Sequence, residues 1–189
     1  MRGEASRIAD RESRDLLASK LRDTREDAWR IGNELFVITS LLDGNVRIER
    51  ALTDVSRPLE DKVAVLNTLL GDQVHPMTME IMTEVVKRRW SRAADIANAV
   101  EDFGVDAMMY YADATDSTLQ VSIELAELHS ALLNTPVVRA KLYDETVPSE
   151  ARVKFFHELF DGKGLNKVTM RLAEHATENL RRRRYLETI

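Results

Sequence analysis

Residues 31–70 read IGNELFVITSLLDGNVRIERALTDVSRPLEDKVAVLNTLL, and residues 121–160 read VSIELAELHSALLNTPVVRAKLYDETVPSEARVKFFHELF. Set one over the other at a shift of ninety and, without a gap, ten of the forty positions are identical. They are Glu34/Glu124, Leu35/Leu125, Ser40/Ser130, Leu42/Leu132, Leu52/Leu142, Asp54/Asp144, Pro58/Pro148, Glu60/Glu150, Val63/Val153 and Leu69/Leu159. Roughly two or three would be expected from ordinary residue usage. Apolar character is kept where the letters differ, as at Ile31/Val121, Ile38/Leu128, Leu66/Phe156 and Leu70/Phe160. After one extra residue near Gly162 the match resumes, with Thr78-Met79 on Thr169-Met170 and Ile81 on Leu172. A period of ninety is longer than the 20–50 residues of a solenoid unit. It is the length of a small domain, and a domain duplication is expected.

Outward from that stretch the chain reads as helices. A charged helix is expected over Glu4–Leu21, with Ile8, Leu16, Leu17 and Leu21 as its larger apolar residues. Asp23 with Glu26 resembles a capping box. Ala28, Ile31, Leu35, Ile38 and Leu42, three and four apart, share one face of the next helix. Gly44-Asn45 breaks it before a short helix at Val46–Leu52. Pro58 opens a helix whose stripe is Leu59, Val63, Leu66 and Leu70, and Gly71 ends it. His75-Pro76 opens a fifth helix to about Arg89, with His75 as a candidate cap. This helix is apolar on two sides, with Met77, Ile81 and Val85 on one and Met79, Met82 and Val86 on the other. A sixth spans about Ser91–Ala112 across Gly104. Ser117 with Gln120 suggests a second capping box. The plan then repeats over about Thr118–Leu133, Val137–Tyr143, Ser149–Phe160 and Leu165–Leu180, and a last helix begins near Arg184. The fold class expected is all-α: two tandem six-helix-type bundles, residues 1–112 and 113–189, the second incomplete and truncated at its last helix. A fragment of a longer protein is the expectation.

Composition restricts function. The 189 residues carry a net charge of −5 and no cysteine. That leaves no thiol nucleophile and no cysteine zinc site, and it disfavours a general nucleic-acid binder. The charged N-terminus lacks an apolar signal core, and no run approaches the roughly 18–20 apolar residues of a membrane span. The four histidines, at 75, 129, 157 and 175, lack His-x-x-x-His spacing; surface positions are expected for the last three, and no metal site or cofactor. Gly162-Lys163-Gly164 is not a phosphate loop. His157 stands where the first glycine belongs, and Gly164 where Ser or Thr belongs. Lys87-Arg88-Arg89 and Arg181–Arg184 read as solvated faces at helix C-termini, where cations offset the dipole. No carboxylate pair is singled out as an acid/base couple, so no catalytic residue is assigned.

Arg57-Pro58-Leu59-Glu60-Asp61-Lys62-Val63-Ala64-Val65-Leu66 with Leu69-Leu70-Gly71, Arg89-Trp90-Ser91-Arg92-Ala93-Ala94-Asp95-Ile96, Glu34-Leu35 and Leu41-Leu42 carry a resemblance. In this order the chain resembles the delta-subunit family of F-type ATP synthase, whose mitochondrial relative is the oligomycin-sensitivity-conferring protein. It looks most like the long actinobacterial form, whose extra helical region here reads as the second copy. The first helix departs from the family's alanine-rich pattern, reading Ser6-Arg7-Ile8-Ala9-Asp10-Arg11.

The resemblance implies a non-catalytic stator subunit of a proton-translocating machine, peripheral on the cytoplasmic face of the cell membrane. It implies a groove between the first and fifth helices that receives the N-terminal helix of an alpha subunit. A C-terminal domain, absent from this chain, would bind the b subunit of the peripheral stalk. Neither nucleic acid nor direct membrane insertion is expected. The residues expected to form part of the groove are Ile8, Met79, Met82 and Val86, because a single-sided helix has no use for a second apolar stripe. If the fifth helix is instead central, both stripes are buried. A generic helical adaptor is the alternative function, distinguished by whether an alpha-subunit contact exists. An enzyme with a site spanning the copies is a third, distinguished by convergent perturbed ionisable groups.

Overall fold

A computed structural model describes residues 3–180 of the protein. Among the described residues there are ten α-helices, two short 3-10 turns and no strand. The helices are α1 (Glu4–Asp23), α2 (Ala28–Asp43), α3 (Val46–Thr53), α4 (Leu59–Leu70), α5 (Pro76–Lys87), α6 (Asp95–Ala114), α7 (Thr118–Asn134), α8 (Pro136–Leu142), α9 (Ser149–Phe160) and α10 (Lys167–Glu178). The all-α expectation holds. The helix expected from Arg184 lies outside the described residues. The chain divides into two compact units, the first ending at Tyr111 and the second beginning at Ala112.

In the first unit the stripe of α2 is fully committed: Ala28, Ile31, Leu35, Ile38 and Leu42 are all buried. Its flank is buried too, through Gly32 and Phe36, because α6 comes close. A Cβ added at Gly104 would lie 2.6 Å from the Phe36 ring, and one at Gly32 would lie 2.8 Å from Met108 Cε. A mid-helix glycine costs about 1 kcal/mol against alanine. Here α6 runs unbroken through Gly104 because the missing side chain lets a phenyl ring sit against the backbone. Asn45 caps α3 by accepting the Ile48 N–H at 3.4 Å. Pro58 is the N-cap of α4 and not its first helical residue, and Gly71 closes it at φ +52°. His75 caps α5 as expected, its Nδ1 accepting the Met77 N–H at 3.0 Å.

Neither expected capping box forms. Asp23 is the last residue of α1, and the next hydroxyl, Thr24 Oγ1, donates back to the Leu21 carbonyl at 2.6 Å. Ser117 Oγ donates to the Ala112 carbonyl at 3.2 Å, and Gln120 donates to Glu124 at 2.8 Å. At Ser117 the free carbonyls at the end of α6 compete for the hydroxyl that a cap would need, while Asp23 is itself helical and lacks the non-helical backbone of an N-cap.

In the second unit Leu128, Leu132, Leu142, Phe156, Ala173 and Ala176 form the core. Several local networks recur at positions ninety or ninety-one apart. Glu34 Oε2 accepts the His75 N–H at 2.9 Å and the Thr78 hydroxyl at 2.6 Å. Glu124 Oε2 accepts the Asn166 N–H at 2.9 Å and the Thr169 hydroxyl. Asp54 accepts from the backbone and hydroxyl of Ser56, and Asp144 does the same from Thr146. Lys62 donates to the carbonyl of Val86, and Arg152 to that of Thr177.

The units differ at the matched leucines Leu35 and Leu125. Leu35 is 0 % exposed, whereas Leu125 is only partly buried. Leu35→Ala is therefore expected to destabilise the first unit by about 3 kcal/mol, as for a core leucine. Leu125→Ala should cost only about 1 kcal/mol, since less apolar area is lost. Chemical denaturation of both variants checks the difference. Equal losses would contradict the burial.

Candidate partner-binding groove

Helices α1 and α5 pack side by side in the first unit. Ion pairs stitch them together. Arg88 reaches Glu84 at 2.6 Å and Glu12 of α1 at 2.5 Å, and Lys20 of α1 pairs with Glu80 of α5. Between the helices the surface dips twice. One depression of about 470 Å³ is floored by Ala5, Ile8 and Ala9 of α1 and bounded by Lys87, Arg88 and Arg89. The other, of about 370 Å³, lies between Leu16 and Lys20 of α1 and Met79 and Thr83 of α5. Ile8 is 41 % exposed and Leu16 58 %. Eight residues of helix span about 12 Å, just over two turns, so both side chains present one face.

The structure brings Ile8 and one of the three expected fifth-helix residues to this surface. Met79 is partly exposed and lines the second depression. Met82 and Val86 do not reach the surface. Both are 0 % exposed and belong to the first unit's core. The expectation that they line an open groove is corrected. The reason is position: α5 is covered by α1, α2 and α4, so Met82 and Val86 face neighbouring helices and Met79 is left at the edge. Leu16 is the groove residue that sequence reasoning did not select. A signal existed in Leu16-Leu17, because adjacent helix residues cannot share a face, and Leu17 is the buried one.

Near the end of α1, Ser6 Oγ donates to the buried Asp95 carboxylate at 2.8 Å and accepts the Ser91 N–H at 2.7 Å. Arg14 grips Asp106 through two bonds of 2.6 and 2.7 Å, which raise the guanidinium pKa above its ordinary value. These contacts lock α1 to α6 and fix the groove's outer wall.

Among the described residues no group of three His, Cys, Asp or Glu is placed to hold a metal ion. His157 sits at the surface against Asp161 at 2.8 Å and Glu174 at 3.3 Å. The hydrogen bond to Asp161 raises its pKa. His175, expected on a helix face, is 2 % exposed, because α10 turns that side toward the second unit's interior.

No protein-family model matches the chain. Individual proteins do. The chain is 82 % identical over its whole length to the ATP synthase subunit delta of Bifidobacterium longum strain NCC 2705, covering 68 % of that protein. It is 72 % identical, again over its whole length, to the ATP synthase subunit delta of Bifidobacterium adolescentis, covering 69 % of it. A more distant relative is the ATP synthase subunit delta of Streptomyces avermitilis, 31 % identical over 84 % of this chain and 58 % of its own length.

Proposed function

The chain belongs to the ATP synthase delta-subunit family, and from that premise we propose that its first unit holds the catalytic head by clasping a helix between α1 and α5. Membership makes it a non-catalytic, peripheral-stalk subunit of an F-type ATP synthase that interacts with other subunits of that membrane-associated complex. Among the described residues no helix is long and apolar enough to cross a membrane. The mechanism is mechanical. A rotary machine transmits torque only if its stationary part is held against rotation, and binding alone does that. The occupant proposed is the N-terminal helix of an alpha subunit, and the b subunit would be bound by a C-terminal domain beyond this chain, on the cytoplasmic face.

The observation that supports the groove is the pairing of exposed Ile8 and Leu16 on α1 with partly exposed Met79 on α5. An amphipathic helix docks by laying apolar residues one and two turns apart into such a surface, and methionine adapts to the shape it meets. Lys20 with Glu80, and Glu12 with Arg88, form a charged rim. Ile8→Asp should leave thermal stability nearly unchanged. It should weaken binding of a peptide carrying the alpha-subunit N-terminus by about 2 kcal/mol or more, the loss typical of a central interface residue. Calorimetric titration measures this. Wild-type affinity in a folded Ile8→Asp protein would defeat the groove at that residue.

The second unit is read as a copy of the first. The ungapped identities between residues 31–70 and 121–160 support this. So do the matched roles of Glu34 and Glu124, Asp54 and Asp144, and Lys62 and Arg152.

A further inference from the structure

Where the entry to α4 meets the end of α5, the first unit has a cleft of about 350 Å³. Val55, Arg57 and Leu59 form one wall, Lys87 and Arg89 the other, and Lys62 lies between them. Val55 is 70 % exposed and Leu59 41 %. Lys62 is 6 % exposed, and its one hydrogen bond to a described residue, 3.4 Å to the Val86 carbonyl, is long. An ammonium carries three donors, so a buried cation is left with donors to spare. Its desolvation pushes the pKa down, which an anion in the cleft would reverse. Arg57 and Arg89 are exposed, and neither is ion-paired with a described residue. Asp54 accepts from Ser56 and acts on Lys62 and Arg57 through space, but forms an ion pair with neither.

The second unit supplies an internal control. Arg152, the counterpart of Lys62, spends its guanidinium on the carbonyls of Asp144, Val147, Thr177 and Glu178. The counterparts of Arg57, Lys87, Arg88 and Arg89 are Val147, Glu178, Asn179 and Leu180. At the described positions, one copy has a closed structural arginine with Val147, Glu178, Asn179 and Leu180 in the corresponding places. The other has a lysine with donors to spare and two exposed arginines, Arg57 and Arg89, beside Lys87 and Arg88, which are held by Glu84 and Glu12, in a chain whose net charge is −5.

We infer that this cleft docks an acidic peptide segment of a partner protein, with a carboxylate against Lys62 and flanked by Arg57 and Arg89. Apolar side chains of that segment lie on Val55 and Leu59. These two exposed residues favour a peptide over a bare phosphate, which would leave them wet. The lining holds no aromatic residue for stacking on bases. The cleft is separate from the α1/α5 groove at Val55, Arg57 and Leu59, and it shares only the Lys87–Arg89 corner with it.

The test is a titration of the isotopically labelled chain with a short acetylated peptide of glutamates and leucines, read by amide chemical shifts. Shifts should centre on Val55–Lys62 and Lys87–Arg89, and spare Val147 and Glu178–Leu180. Arg57→Glu, at an exposed site, should weaken binding at least about tenfold, as for a charge facing an oppositely charged partner, and Ile8→Asp should leave it unchanged. Inorganic phosphate and phosphatidylglycerol vesicles are titrated alongside. Tighter binding of either at the same residues overturns the peptide assignment. Shifts confined to the groove, shifts equal in both units, or no binding at all overturn the site. Ile8→Asp tests the groove alone, so failure of one site leaves the other standing.

Discussion

Met82→Asp is expected to unfold the first unit outright. Met82 is fully buried, as are Ile81, Val85 and Val86 beside it. The substitution removes an apolar side chain from a packed interior and leaves a carboxylate with no partner. An unpaired buried charge costs several kcal/mol or forces its own protonation. The loss of apolar burial adds about 2 kcal/mol. The sum, above about 4 kcal/mol, is a large part of the 5–15 kcal/mol that holds an ordinary domain together. Val86→Asp should behave alike. Met79→Asp, at a partly exposed site on the same helix, should fold and cost no more than about 1 kcal/mol. Circular dichroism with thermal melting separates the three. A cooperative, wild-type-like melt for Met82→Asp would contradict the burial of α5.

The contrast between Met79 and Met82 shows what sequence can and cannot place. Periodicity found the apolar residues of α5, but the stripe of Met79, Met82 and Val86 is split between surface and core. It could not say which of these residues met water, because that depends on which neighbours cover the helix, here α1, α2 and α4. On α1 the same ambiguity ran the other way. Ile8, Leu16, Leu17 and Leu21 read as one apolar set, yet Leu17 and Leu21 are buried and Ile8 and Leu16 are not. The capping boxes failed for local reasons: Ser117, beside a helix C-terminus, gives its hydroxyl to a carbonyl, and Asp23 is the last residue of α1 rather than an extended residue before the next helix. Glu34 and Glu124 were visible as an identity, but the task they perform was not. Each reaches across more than forty residues to the first turn of a later helix. Only the paired recurrence of Thr78 and Thr169 at the receiving end hinted at it. His75 was legible as a cap because Pro76 fixes the helix start beside it.

Arg152→Ala should have the largest effect in the second unit, although no sequence motif marks this residue. Arg152 is 6 % exposed. Its Nε donates to the Thr177 carbonyl at 3.1 Å, and one terminal nitrogen donates to that of Glu178 at 3.1 Å. The other terminal nitrogen serves the carbonyls of Asp144, at 3.3 Å, and Val147. Thr177 and Glu178 end α10, so their carbonyls have no N–H of the helix to accept. One side chain therefore closes α10 onto the loop between α8 and α9. Burial pulls its pKa down, but a guanidinium keeps its charge at any pH the fold survives. Removing it strands three or four acceptors, each worth about 1–3 kcal/mol when buried without a partner. Water entering the space offsets part of this, and a net loss of about 4–5 kcal/mol is expected. Arg152→Lys should fall in between, because an ammonium at the corresponding place in the first unit reaches one carbonyl, that of Val86. Hydrogen exchange resolved by residue is the right measurement, since it reads the second unit apart from the first. Amides of α9 and α10 should lose protection in Arg152→Ala while those of α2 and α5 keep theirs. Unchanged protection across α9 and α10 would show that the guanidinium does not hold these helices together.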